Sequence, residues 1–144
     1  PPATADRPLR HVFHLAGTTA DGAFPQMDED AFRTVFAAKA QGADRIAEAV
    51  ADQPLRSLVL FSSVSSVLGS AGQANYAAAN GYLNGLARSL RGRGVPATAV
   101  AWGPWEPGDK GGLAADERVR SAVARAGLTP LTDRTAWPAL TAAA

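Results

Sequence analysis

The sequence has no cysteine and a single methionine among its 144 residues. Without thiols, disulfides and thiolate metal sites are excluded, and a reducing cytoplasm is the expected setting. No apolar run approaches the roughly 20 residues that a membrane-spanning helix needs. The opening stretch "PPATADRPLR" has no apolar centre of the kind a signal peptide carries. Charge of one sign is missing as well. Fourteen basic against thirteen acidic side chains leave +1, so neither nucleic acid nor a membrane surface is an expected partner. Phosphate-binding glycine fingerprints are also absent: no stretch reads G-x-G-x-x-G or G-x-x-x-x-G-K-[ST], and Gly108, Gly111 and Gly112 fit neither spacing.

What is present is an alternation of short apolar runs and long helical patterns, with 47 % hydrophobic and 19 % charged residues, as in ordinary globular proteins. "HVFHLAG" (11–17), "SLVLFSS" (57–63) and "PATAVAWG" (96–103) read as strands. Between them, residues 28–53 and 73–94 read as helices, the first with Asp28 at its N-cap and acidic residues in its first turn, the second stopped by glycines. A Gly/Pro-rich loop follows the third strand, then a helix over about 116–126 and a last short one from Thr132. Such alternation predicts parallel βαβ units in one α/β unit, with a sheet covered on both faces. Three strands make a small sheet for helices of this length. The missing glycine loop points the same way, and the N-terminal half of a doubly wound domain is expected to lie outside this chain.

Several polar residues stand where apolar ones belong. Phe32, Val35, Phe36, Ala43, Ile46 and Val50 make the buried stripe of the first helix, and Lys39 falls on it. A lysine there either snorkels out at the stripe's edge or is aimed into a site. On the second helix Tyr76 and Asn80 are four apart, neighbours on one face with Leu83, Ala87 and Leu90. A tyrosine so placed either packs in the core with its hydroxyl tied off or serves chemistry. Ser62, Ser63, Ser65 and Ser66 follow one another at the C-terminal end of a strand, where α/β folds bind ligands, though such a run is most often an ordinary loop. Together they fit the reduction of a ketone. A growing alkoxide needs a proton donor and hydrogen-bond donors. Tyrosine can be that acid, a nearby ammonium can lower its pKa, a serine can hold the carbonyl oxygen, and an asparagine can position the lysine or a water.

"HLAG", "AAKAQGAD", "FSSVSSVLGSAGQANYAAANGYLNGLA" and "AWGPW" resemble the ketoreductase domain of modular type I polyketide synthases, a branch of the short-chain dehydrogenase/reductases, over residues 9 to 143. The resemblance implies a Rossmann-like doubly wound parallel sheet. Residues 1–144 would form the C-terminal part of that domain, without its glycine-rich first βαβ unit. It implies NADPH-dependent reduction of a β-ketoacyl chain carried on the phosphopantetheine of an acyl carrier protein, in antibiotic biosynthesis, with neighbouring synthase domains as partners. The matching catalytic residues are Lys39, Ser63, Tyr76 and Asn80: Ser63 precedes Tyr76 by thirteen and Lys39 precedes Ser63 by twenty-four, as in the family. Ala16 and Gly17 would flank the nicotinamide ribose, and Trp102, Gly103 and Pro104 would pass beneath the nicotinamide. A lid is implied over about 106–127, with Leu113 where many relatives carry methionine. No metal is implied.

The family divides by the face of the ketone that receives hydride. Its B type carries Leu-Asp-Asp before the lysine helix, and the aligned triplet here is Thr19-Ala20-Asp21, keeping the most telling aspartate. Its A type carries a tryptophan eight residues before the tyrosine, where this chain has Leu68. Asn75 also matches the B pattern, whereas Ala71 replaces a frequent proline, and Trp105 lies on the substrate side. The B type, giving a 3R hydroxyl, is therefore expected; otherwise Asp21 merely caps a turn. An alternative is a structural or epimerising ketoreductase-like domain that does not reduce, although such domains usually show a broken tetrad. A serine hydrolase is disfavoured, because G-x-S-x-G is absent and His11 and His14 both sit in a strand. A pure interaction module is disfavoured too, since the truncated structural subdomains of the family come from the other half of the domain.

Overall fold

A computed structural model describes residues 6–106 and 117–144. The chain forms two compact units, residues 1–101 with the last two residues, and 102–142. In the first unit the apolar runs become strands β1 (His11–His14) and β2 (Ser57–Ser63), followed by β3 (Ala97–Trp102), which ends at the unit's boundary. They form one sheet in the order β1-β2-β3. β1 and β2 run parallel, with His11 opposite Ser57 and His14 opposite Leu60. All three strands lie inside the predicted ranges.

The long helix expected after β1 forms, but not as one regular helix. Helix α1 (Glu29–Phe36) starts at Asp28, whose carboxylate accepts the Ala31 N–H at 2.8 Å. A π turn (Ala37–Gln41) follows, then α2 (Gly42–Ala49). Helix α4 (Ala74–Gly92) fills most of the second predicted helix, and Gly94 behind it takes φ +83°, a conformation glycine adopts freely. Between β2 and α4 the serine run folds into the short helix α3 (Ser65–Leu68), which hydrophobic periodicity does not reveal.

Leu58 and Leu60, from one face of β2, form a single buried cluster with Ala43 of α2, Leu83, Ala87 and Leu90 of α4, and Ala97 of β3. Within this unit the crossover helices thus share one face of the sheet. Successive crossovers of one hand between adjacent strands place their helices on the same side, which makes one wing of a doubly wound sheet. The cluster packs α4 along β2, the placement that matters for the polar residues above.

In the second unit, α5 (Glu117–Arg125) and α6 (Asp133–Ala143) match the two predicted C-terminal helices. Thr132 and Thr135 cap the start of α6 reciprocally, each backbone N–H meeting the other's hydroxyl at 3.0 and 3.3 Å. Trp105 bridges to Leu131, and the Trp102 and Trp105 rings lie 5.2 Å apart.

Leu83 is fully buried at the centre of the first unit's cluster. Leu83→Ala is expected to cost about 2–5 kcal/mol through lost burial and the cavity left behind. Chemical denaturation of the protein followed by circular dichroism measures it, and a loss below about 1 kcal/mol would mean that α4 does not depend on this contact.

Candidate active site

Three elements deliver the polar residues to one place. β2 ends at Ser63, whose hydroxyl accepts the Ser65 N–H at 3.2 Å, so the first turn of α3 sets its orientation. The Ser63 carbonyl accepts the Ser66 hydroxyl at 2.6 Å, and Ser66 is held in turn by the Asn84 carboxamide of α4 at 2.9 Å. Ser62 donates to the Asn80 carbonyl at 3.1 Å, tying the strand end to α4 a second time.

Lys39 does not snorkel. It is 4 % exposed, and its ammonium donates to the Phe61 carbonyl of β2 at 2.9 Å. Burial pulls its pKa down to about 8. The π turn that carries Lys39 places it on the inner side, and Gly17 leaves room for its stem: a Cβ on Gly17 would stand 3.0 Å from Lys39 Cε.

From α4, Tyr76 and Asn80 face the same region. The Lys39 ammonium stands 5.4 Å from the centre of the Tyr76 ring. Asn80 is fully buried; its amide donates to the Tyr76 carbonyl at 2.8 Å, and its Oδ1 has no partner among the described residues. The Tyr76 phenol is raised above its ordinary pKa, first by burial, with hydrogen bonding from Asn80 and Ser63 acting the other way and the Asp21 carboxylate adding a small push upward. Sequence reasoning expects the lysine to lower this pKa, and here the net shift is the opposite. The ammonium is itself weakened by burial and turned to a backbone carbonyl, and desolvation of the phenolate outweighs the rest.

The family model for the KR domain matches residues 2–107. The chain belongs to the ketoreductase domain family of polyketide synthases. Its sequence is 45 % identical over 130 residues to the spectinabilin polyketide synthase system protein NorB of Streptomyces orinoci, covering 89 % of this chain and 6 % of that protein. It is 48 % identical over 99 residues to erythronolide synthase EryA2 of Saccharopolyspora erythraea, covering 69 % and 3 %. The solved A-type ketoreductase from a modular polyketide synthase superposes with a TM-score of 0.87 at 37 % identity, over 96 % of this chain and 29 % of that one. The first ketoreductase of the tylosin synthase gives 0.82 at 40 % identity, over 91 % and 28 %. The chain thus spans under a third of the ketoreductase structures and a few per cent of the synthases that it matches.

Among ketoreductase residues expected from sequence, Lys39, Ser63, Tyr76 and Asn80 come together. The Asp21 loop is strapped to the start of α4: Gly22 N–H donates to Gly72 O at 2.9 Å, and Gln73 donates to the Asp21 carboxylate at 3.0 Å. Asn75 is fully buried and ties that loop to α1, donating to Ala20 O at 2.8 Å and Ala31 O at 3.1 Å. Its side-chain amide thus joins the Asp21 loop to α1. Leu68 lies 64 % exposed on α3. Ala16 and Gly17 follow β1, with Gly17 against the Lys39 side chain. Trp102, Gly103, Pro104 and Trp105 belong to the second unit, where Pro104 O accepts the Leu131 N–H at 2.7 Å. Leu113 and residues 107–116 of the expected lid lie outside the described residues. Sequence reading gives no role to Phe61, Gln73 or the Ser66–Asn84 pair, and names His14 only as a strand residue. Only an unexplained polar residue in an apolar strand, His14, leaves a trace there.

Lys39 also fixes a pH dependence. Between about pH 8 and 10.5 the unfolded chain keeps a proton that the folded protein has released, so stability rises with pH across that window. Lys39→Met removes the buried charge and is expected to raise stability at pH 7 by roughly 1–3 kcal/mol, the lost hydrogen bond to Phe61 offsetting part of the gain. The gain shrinks towards pH 10.5. Denaturation curves of both proteins at pH 7, 9 and 10 test it, and a gain that grows with pH contradicts the burial of a charged lysine.

Proposed function

We propose that this chain supplies the catalytic part of an NADPH-dependent β-ketoacyl reductase, acting on a β-ketoacyl thioester borne by an acyl carrier protein within a polyketide synthase. The observation that carries the reading is the convergence of Ser63, Tyr76, Lys39 and Asn80 from three elements around one phenol. Their donor chemistry, with a buried Asn80 Oδ1 lacking a partner among the described residues, fits a hydroxyl-bearing nicotinamide ribose. Lys39 would hold that ribose, and the reduced nicotinamide supplies hydride when bound.

The chain's own residues do the rest. Ser63 donates to the ketone oxygen and holds it beside the phenol. Tyr76, with its pKa raised, stays protonated at neutral pH and is ready to give its proton to the forming alkoxide. Lys39, the positive charge beside the ring, offsets the phenolate that remains. Asn80 ties Tyr76's backbone to the helix turn that orients both. No glycine-rich phosphate loop occurs among these 144 residues, and by themselves they are proposed not to turn over. A non-reducing, epimerising domain is the weaker reading, because all four tetrad residues are present.

Tyr76→Phe in the synthase is expected to lower reduction about a hundredfold or more, with little change in cofactor binding. Loss of nicotinamide absorbance with a β-ketoacyl thioester measures it, and near wild-type turnover would remove Tyr76 from the mechanism.

The stereochemical proposal is B-type reduction. Asp21, the aspartate that the B-type triplet keeps and whose carboxylate Gln73 holds at the start of α4, supports it. So does Leu68, exposed where the A type carries tryptophan. Chiral chromatography of the product from a diketide thioester is expected to give mainly the 3R alcohol, and a predominantly 3S alcohol would sink the assignment.

A further inference from the structure

His14 is a buried titratable group that the mechanism above does not use. It closes β1 and is 3 % exposed. Its Nε2 lies 2.9 Å from the Lys39 carbonyl oxygen. A carbonyl only accepts, so Nε2 carries the proton and donates. The ring fits because residue 42 is glycine: a Cβ there would stand 3.2 Å from His14 Cε1.

The contact falls on the irregular part of the helix. In the π turn the Gly42 N–H reaches back five residues to Ala37 O, instead of the four of an α-helix. Such a turn is less favourable than α-helix and persists where the surroundings hold it. Two adjacent strands hold Lys39 from opposite ends. His14 on β1 takes its backbone carbonyl, and Phe61 on β2, one residue beyond His14's partner Leu60, takes its ammonium at 2.9 Å. The lysine is thereby stretched between two fixed points of the same sheet. The same carbonyl also accepts the Gly42 N–H at the end of the π turn, so the imidazole is joined directly to that turn.

We propose that His14 is a positioning residue: through Lys39 O it holds the π turn in register and so sets where the Lys39 ammonium stands beside Tyr76. The kinetic side of this rests on the reductase reading above; the structural side does not. The test compares His14→Gln, which keeps a side-chain N–H of similar reach, with His14→Leu, which does not, in the synthase that carries this segment. His14→Leu is expected to lower kcat roughly tenfold or more with KM within about twofold. His14→Gln is expected to recover most of that loss. Hydrogen–deuterium exchange over residues 37–42 should quicken in His14→Leu and stay near wild type in His14→Gln, whether or not the protein reduces a ketone. Equal kcat and exchange in wild type and His14→Leu would overturn the proposal, as would an equal loss in both variants. If His14→Leu does not fold, His14→Gln alone decides: wild-type exchange over 37–42 upholds the role and faster exchange overturns it. A wild-type synthase that reduces no β-ketoacyl thioester defeats the reductase reading, and the exchange comparison still judges His14.

Discussion

A lysine buried to 4 % exposure is the constraint around which this site is arranged. Removing such a charge from water costs several kcal/mol unless it is hydrogen-bonded. Here a strand carbonyl accepts from it, an aromatic face lies beside it, and its pKa falls to about 8. The other irregularities follow from it. A π turn breaks a helix that would otherwise run straight, Gly17 yields space to the lysine stem, and Gly42 yields space to the imidazole at its carbonyl. None of these features helps the helix or the strands on their own account. A hydrophobic residue at position 39 would suit the fold better, so the cost points to chemistry.

Helix α4 is the platform on which the remaining groups are measured. Its apolar side, Leu83, Ala87 and Leu90, locks onto Leu58 and Leu60 of β2, and the same packing sets Tyr76 and Asn80 at the strand's end. Polar ties then refine the position: Ser62 to Asn80, Asn84 to Ser66, and Asn75 to the Asp21 loop and α1. Each joins elements that hydrophobic contact alone would leave free to slide. A ketoreductase needs such ties, because misplacing a proton donor by about 1 Å can cost a hundredfold in rate.

The two pKa shifts work together. A raised phenol keeps its proton until a stronger base forms beside it, and a lysine near 8 is still mainly charged at neutral pH. At neutral pH the two side chains therefore stand as a neutral phenol beside an ammonium. The phenol's environment is dominated by burial, which no count of neighbouring charges in the sequence conveys.

Much was legible in the sequence because it is local. Apolar runs of four to seven residues, the Asp28 cap and the glycines behind α4 depend on near neighbours along the chain, and apart from the π turn and α3 the strands and helices formed where they were expected. Family membership was legible too, from the block that holds Ser63, Tyr76 and Asn80, and the structure brings those three and Lys39 close together. What only the tertiary structure decided comes from contacts between distant segments. Whether Lys39 snorkels or enters the site depended on Phe61, twenty-two residues away, and on His14, twenty-five away. The sign of the Tyr76 shift depended on how deeply the phenol is buried, and the partners of Asn75 on where Ala20 and Ala31 come to lie. Periodicity can show that a polar residue stands on an apolar face. Only packing decides what it finds there, because hydrogen-bond partners and desolvation are set by segments the chain brings together from afar.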